Sequence, residues 1–359
     1  MSGPGPSSGT EPKPGTEPPP GTEPPSGTEP GLDPAARIVQ PARPGLKTFT
    51  LEGRAAPGLF LVGWLAGLMG CGVLIVASLS GLGSTVRLIL ALIGLSLLSL
   101  GLIAGAGSQA MERKAHAAPD GAGYAGPSPF LVLAAALPLF VLFVTIVVTP
   151  LIGLGLDANG PAATFVTVLV QGVVYFGLIR LLVVGPGSLS WRDMGIGGRP
   201  FAKLVEDASW GVVLAVPLVV ITTLVAVVLL ALLPAPDSPL PPSGTGPGVL
   251  FNLLAAVVVA PLSEELFFRA FATTAWLRTM TPWRAIIRGS IFFAAVHILG
   301  VGGQDFGDAT GRAAVAFFSH LPVAIALGLL FARRRSLAAP LALHATYNAL
   351  LFLAQYAGG

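Results

Sequence analysis

Charged residues divide the chain after residue 55 into long uncharged stretches, and this feature constrains the fold more than any other. About 20 apolar residues in a helix cross the hydrocarbon core of a bilayer. The sequence therefore predicts an all-α, polytopic bundle of about nine transmembrane helices, with eight spans possible because the seventh stretch is the shortest. The stretches cover residues 55–86, 88–111, 121–156, 158–179, 208–236, 238–263, 289–304, 313–332 and 336–359.

The composition supports the same class of protein. Only 10% of the 359 residues are charged and 53% are hydrophobic, whereas a soluble domain carries roughly a quarter charged residues. These values exclude a water-soluble enzyme and a nucleic-acid-binding protein, and the single cysteine, Cys71, excludes a disulfide scaffold. The expected surroundings are a lipid bilayer, with no nucleic acid as a partner.

The first 57 residues differ from the rest of the chain. Gly-Thr-Glu-Pro recurs at Gly9, Gly15, Gly21 and Gly27 in a segment rich in Pro, Ser and Thr. Such a segment has little apolar surface to bury, so residues 1–57 are expected to be a disordered tail, and a Pro-rich spacer or recognition element is the alternative. Residues 58–190 are expected to form helices without a known motif, and residues 191–359 to form the functional core.

The distribution of Lys and Arg predicts the orientation in the membrane. With nine spans, 15 of these residues fall on one side and only two, Arg87 and Arg312, on the other. Positive residues accumulate in cytoplasmic loops. The N-terminus is therefore expected in the cytoplasm and the C-terminus on the far side of a cell membrane.

Two adjacent carboxylates, Glu264 and Glu265, follow directly on the sixth apolar stretch. A charged side chain within a membrane costs a few kcal/mol and usually has a function. Glu265 and Arg269 are four residues apart, in the order that favours an ion pair on a helix. Glu264 faces about 100° away from Glu265, so its partner is expected on another helix.

Three polar residues on later stretches meet that requirement. His297 lies in the seventh stretch, and His344 and Asn348 share one face of the ninth. A rise of about 1.5 Å per residue from the expected span ends places all of them, with Glu264, in the cytoplasmic half of the bilayer. The sequence therefore predicts that three helices bring one Glu, two His and one Asn together.

These motifs, E-E-x-x-x-R, F-x-x-x-H and H-x-x-x-N in this order on apolar helices, resemble those of the CPBP intramembrane proteases. This group, also called the Abi family, includes the CAAX prenyl protease of Rce1 type. The resemblance covers roughly residues 191–359. The matching residues are Glu264, Glu265, Arg269, Phe293, His297, His344 and Asn348.

The resemblance implies a membrane endopeptidase that cleaves a peptide or a membrane protein. It implies that Glu264 and His297 activate water, that His344 and Asn348 stabilise the oxyanion, and that Arg269 and Phe293 support the site. Glu265 is counted among the catalytic residues, although its pairing with Arg269 also suits a supporting role. A divalent metal such as zinc, held by Glu264, His297 and His344, is possible, and so is a reaction without a cofactor.

Other functions are compatible with the same residues. Intramembrane carboxylates and histidines also build ion pathways, so a transporter or proton-coupled channel is the main alternative. A non-catalytic membrane scaffold is a third possibility. A histidine in a span often makes only an interhelical hydrogen bond, and this interpretation suits His320, which lies outside the motifs.

Overall fold

A computed structural model describes residues 50–79, 81–117, 123–238, 240–244 and 246–357. These residues contain nine helices and no strand, which confirms the all-α prediction. The predicted tail lies largely outside the described residues, and from residue 50 onward the chain forms one compact unit. The helices are α1 (Pro57–Ser78), α2 (Ser84–Ala115), α3 (Pro129–Gly153), α4 (Pro161–Val184), α5 (Phe201–Leu230), α6 (Gly246–Leu277), α7 (Pro282–Val296), α8 (Phe306–Arg334) and α9 (Ala338–Ala357).

Seven of these helices, α1 to α6 and α8, are long and apolar enough to cross a membrane. Helix α7 has only 15 residues and is about 22 Å long at 1.5 Å per residue. The seventh predicted span, residues 289–304, is therefore helical only as far as Val296. Gly300, Gly302 and Gly303 follow closely, and glycine favours non-helical backbone, which an uncharged pattern does not reveal.

Helix α6 is the least regular of the long helices. Its α-helical hydrogen bonding changes to π-helical over Leu254–Val259, returns at Ala260–Glu264, and changes again over Glu265–Thr273. Single π segments inside α-helices are frequent at functional sites. Pro261 lacks an N–H group, so the carbonyl of Ala256 loses the donor that a π-helix would supply five residues later.

Helix α9 is fixed mainly by α5. Gly211 of α5 allows the closest approach, since a Cβ atom at this position would lie 2.4 Å from the carbonyl oxygen of Ala339 and 2.6 Å from the nitrogen of Leu343. Further along the same pair, the Tyr347 hydroxyl donates a hydrogen bond of 3.1 Å to Oγ1 of Thr222. Helix α5, which carries no recognised motif, thus determines where α9 lies.

The connection between α4 and α5 is attached to the turn between α8 and α9. The backbone nitrogen of Leu337 donates a 3.1 Å hydrogen bond to the carbonyl of Gly195. Gly195 has a φ of +76° and approaches the backbone of Ser336 closely, and glycine suits both conditions. Nearby, Arg278 after α6 forms a 2.7 Å ion pair with Asp193. These contacts join connections that the charge count predicts to lie on one side of the membrane.

Candidate active site

The two adjacent glutamates lie where α6 changes from α-helical to π-helical hydrogen bonding. Glu264 ends the α-helical segment and Glu265 begins the π segment, whose residues are all buried. The Glu265 side chain is fully buried, while 16% of the Glu264 side chain is exposed. The two carboxylates therefore have different surroundings, and Glu264 is the more accessible one.

Glu265 connects two helices through one oxygen. Its Oε1 lies 3.1 Å from Nη1 of Arg269, so the predicted ion pair along α6 is present. The same oxygen lies 2.8 Å from Nδ1 of His344 on α9. The Arg269 guanidinium also lies over the Phe293 ring of α7, 4.2 Å from its centre. Buried charges of this kind require partners, and Glu265 has one on its own helix and one across the site.

Glu264 faces the two histidines predicted to be its partners. Its Oε2 atom lies 3.8 Å from Nε2 of His297 and 3.9 Å from Nε2 of His344. Both distances exceed direct hydrogen-bonding range and suit a bridging water molecule. The structure thus brings residues of α6, α7 and α9 together as the sequence predicts.

The sixth uncharged stretch ends at residue 263, but helix α6 does not. It continues for 13 residues beyond Glu264 to Leu277, which corresponds to about 20 Å at 1.5 Å per residue. Residues 265–276 carry little charge and are all buried, so the helix remains inside the protein. Glu264 is therefore near the middle of α6 and not toward its end.

His297 occupies the C-terminal end of α7, immediately after Val296. Its Nδ1 atom is 2.8 Å from the carbonyl oxygen of Phe293, one turn earlier. A carbonyl only accepts hydrogen bonds, so Nδ1 carries the proton in a neutral ring and the lone pair is on Nε2. The nitrogen that faces Glu264 is therefore able to accept a proton.

His320, which lies outside the three sequence motifs, belongs to the same cluster. Its ring stacks on that of His297 with centres 4.0 Å apart and an angle of 26° between the planes. Its Nδ1 atom is 2.6 Å from the carbonyl oxygen of Ala316, the same arrangement as in His297. His320 lies near the middle of α8. A histidine in the middle of an apolar stretch is the one feature of the sequence that indicates a place in the site.

Asn348 contacts α6 through a hydrogen bond to its backbone and not through the glutamates. Its Nδ2 atom donates a 2.8 Å hydrogen bond to the carbonyl of Ala256, the carbonyl that Pro261 leaves without a donor. One N–H of the amide is thus used to join α9 to the irregular part of α6. An amide nitrogen has two hydrogens, so one N–H remains for another acceptor.

Glu264, His297 and His344 are also the predicted ligands of a divalent metal. In the described part of the chain, no group of three or more His, Cys, Asp or Glu residues is arranged to hold a metal ion. The three residues nevertheless converge, and each histidine presents Nε2 to one carboxylate oxygen. This arrangement is sufficient to position a water molecule beside a carboxylate.

Residues 246–350 match the family model described as Type II CAAX prenyl endopeptidase Rce1-like. This segment runs from the start of α6 into α9 and includes Glu264, Glu265, His297, His344 and Asn348. No curated protein and no solved structure matches the chain.

Proposed function

Because residues 246–350 belong to the family of Rce1-like type II CAAX prenyl endopeptidases, we propose that the chain is an integral membrane endopeptidase with Glu264 as its base. The observation that carries the proposal is the position of Glu264, a partly accessible carboxylate with one oxygen facing Nε2 of both His297 and His344. Its substrate is a peptide or a membrane protein that enters from the bilayer.

In this mechanism a water molecule lies between Glu264 and His297. Glu264 takes a proton from the water molecule as the water oxygen attacks the carbonyl carbon of the substrate. The Nε2 lone pair of His297 holds the water in place, since Nδ1 is already bonded to Phe293. The proton then passes to the nitrogen of the leaving peptide, and the C–N bond breaks.

His344 and Asn348 are proposed to stabilise the negative oxygen of the tetrahedral intermediate. Asn348 has one N–H left after its bond to Ala256. His344 donates from Nε2 when both of its ring nitrogens carry a proton, because Nδ1 is bonded to Glu265. Donors fixed in advance toward a developing charge are a major source of catalysis. Glu265 and Arg269 hold the His344 ring in position.

We propose that water reaches the site from the cytoplasm, because basic residues accumulate on the side of the membrane that carries the connections before α5, α7 and α9. The N-terminus lies on the same side. A cysteine placed at Leu341, on the first turns of α9, tests this orientation when Cys71, which is exposed on α1, is replaced by Ser. An impermeant reagent should label it in inverted vesicles and not in intact cells.

The decisive experiment measures cleavage by the full chain in liposomes. The probe is a farnesylated peptide ending in a CAAX sequence, with the released tripeptide quantified by mass spectrometry. Glu264→Gln should lower turnover at least a hundredfold, whereas Glu206→Gln, the same change at a carboxylate paired with Lys203 outside the site, should leave it unchanged. Near wild-type cleavage by the first variant would reassign the base. No cleavage by the wild-type chain of this peptide or of a peptide library would contradict the proposed function.

A further inference from the structure

A half-open groove runs along the face of α7 that points away from the glutamates. Its volume is about 500 Å³, and Phe130 of α3 and Ile287, Ile291 and Phe292 of α7 form most of its walls. The side chain of Ile291 is 48% exposed. The groove is therefore apolar and open toward the surroundings of the helix bundle, where a transmembrane protein meets lipid.

Two arginines lie at one end of this groove. Arg284 and Arg288 belong to the first two turns of α7 and share a face of the helix. Among the ion pairs of the described residues, none within 4 Å joins Arg284 or Arg288 to a carboxylate. The Arg288 guanidinium lies over two aromatic rings, 4.9 Å from the centre of Phe130 and 5.2 Å from that of Trp276. These contacts hold the group in place without neutralising its charge.

A second cavity of about 610 Å³ adjoins the first at Arg288, which lines both. Its lining is more polar and includes Arg113, Ser128 and Thr279. The described residues that line the two cavities include no Asp or Glu. An apolar groove and a more polar cavity thus meet at a positively charged residue.

We propose that this surface binds an anionic phospholipid of the surrounding leaflet. An acyl chain lies in the apolar groove, the phosphate lies between Arg284 and Arg288, and the polar headgroup extends into the second cavity. Charge complementarity selects this occupant, because two arginines without carboxylate partners favour a headgroup of net negative charge over a zwitterionic one. Trp283, which is 59% exposed beside the groove, is of the residue type that marks the membrane interface.

This site is distinct from the catalytic one, although both use α7. Phe292 lines the groove, and the next residue, Phe293, lies under Arg269 in the site. A bound lipid would therefore restrain the helix that carries His297. The inference does not depend on the chain being a protease, because it rests on the groove and its charges alone.

Native mass spectrometry of the full chain in detergent micelles provides the test. The protein is titrated with phosphatidylglycerol or with phosphatidylcholine of the same acyl chains. The wild-type chain should bind the anionic lipid at least tenfold more tightly. Arg284→Gln combined with Arg288→Gln should weaken binding of phosphatidylglycerol by roughly 30-fold, at about 1 kcal/mol for each arginine. The matched control is Arg192→Gln combined with Arg333→Gln, at two arginines that do not line the groove. It should leave binding of phosphatidylglycerol unchanged.

Two further measurements identify what is bound. Ala295→Phe fills the groove without changing charge and should weaken binding of phosphatidylglycerol, because Ala295 lines the apolar part. Glycerol phosphate, which lacks acyl chains, should not displace the lipid. Equal affinity for the two lipids, equal losses in the two double variants, or displacement by glycerol phosphate would each overturn the proposal.

Discussion

The contact between Gly211 and α9 makes a quantitative prediction for a residue that does not touch the glutamates. A Cβ atom at Gly211 would lie 2.4 Å from the Ala339 oxygen, whereas ordinary contacts of this kind begin at about 3.4 Å. Gly211→Ala must therefore move α9 away from α5 by about 1 Å. His344 directly follows Leu343, whose nitrogen is the second atom in the contact at 2.6 Å.

A displacement of about 1 Å is large for an active site. Misplacing a reacting group by this distance typically costs about a hundredfold in rate, which equals about 2.7 kcal/mol of transition-state stabilisation. We expect kcat/KM of Gly211→Ala for the farnesylated peptide to fall by that factor. Overpacking of this kind also costs about 1–3 kcal/mol of stability, so the melting temperature should fall in parallel.

Gly177→Ala is the matched control. Gly177 lies inside α4, and a Cβ atom there would meet nothing within 4 Å. This variant should retain wild-type activity and stability. Comparing it with Gly211→Ala separates the effect of the close contact with α9 from the effect of replacing a glycine in a helix. Cleavage by Gly211→Ala at a rate within threefold of that of Gly177→Ala would contradict this prediction, because α9 would then tolerate the displacement without loss of function.

Three further predictions concern other parts of the molecule. His344→Ala and Asn348→Ala should each lower kcat about 100-fold with little change in KM, since both are proposed to act on the transition state; a rise in KM alone would assign them to substrate binding. His320→Ala should lower kcat about tenfold, while His320→Phe should retain most activity, because phenylalanine preserves the stacking on the His297 ring at 4.0 Å. Equal losses in the two variants would mean that catalysis depends on the ring nitrogens of His320. Hydrogen bonds from Ser190 and the ion pair with Arg278 hold the pKa of Asp193 below its usual value. Asp193→Asn should therefore lower the melting temperature at neutral pH, and the difference from the wild-type chain should disappear as pH falls below about 3.9. A difference that persists at lower pH would contradict this.

The sequence predicts the helical class and most of the site because the cost of charge in a membrane is large. A carboxylate or histidine between apolar residues stands out, and helical periodicity assigns Glu265 to Arg269 and Glu264 to another helix. Both pairings are present. The identity of the residues and their order along the chain were sufficient for these predictions, and no crossing angle was needed.

Other features depend on geometry that the pattern does not contain. The stacking of His320 on His297 requires the crossing of α7 and α8, which residue spacing cannot give. The end of α7 at Val296 was missed because an absence of charge shows where a span is permitted, not where a helix ends. The π segments of α6 lie on both sides of the turn that contains Pro261, and residue spacing does not reveal them, so Asn348 could be placed on a face but not assigned its bond to Ala256.

The arrangement around Glu265 also bears on which bond of a substrate can reach Glu264. With His344 protonated on both ring nitrogens, as its proposed role requires, the positive charges of His344 and Arg269 balance the negative charges of Glu264 and Glu265 in a largely buried space. A peptide that placed its terminal carboxylate there would add a negative charge without a partner. A scissile bond three residues before the terminus keeps that carboxylate about 10 Å away at 3.3 Å per residue. The electrostatics of the site thus favour release of a short peptide over removal of a single terminal residue.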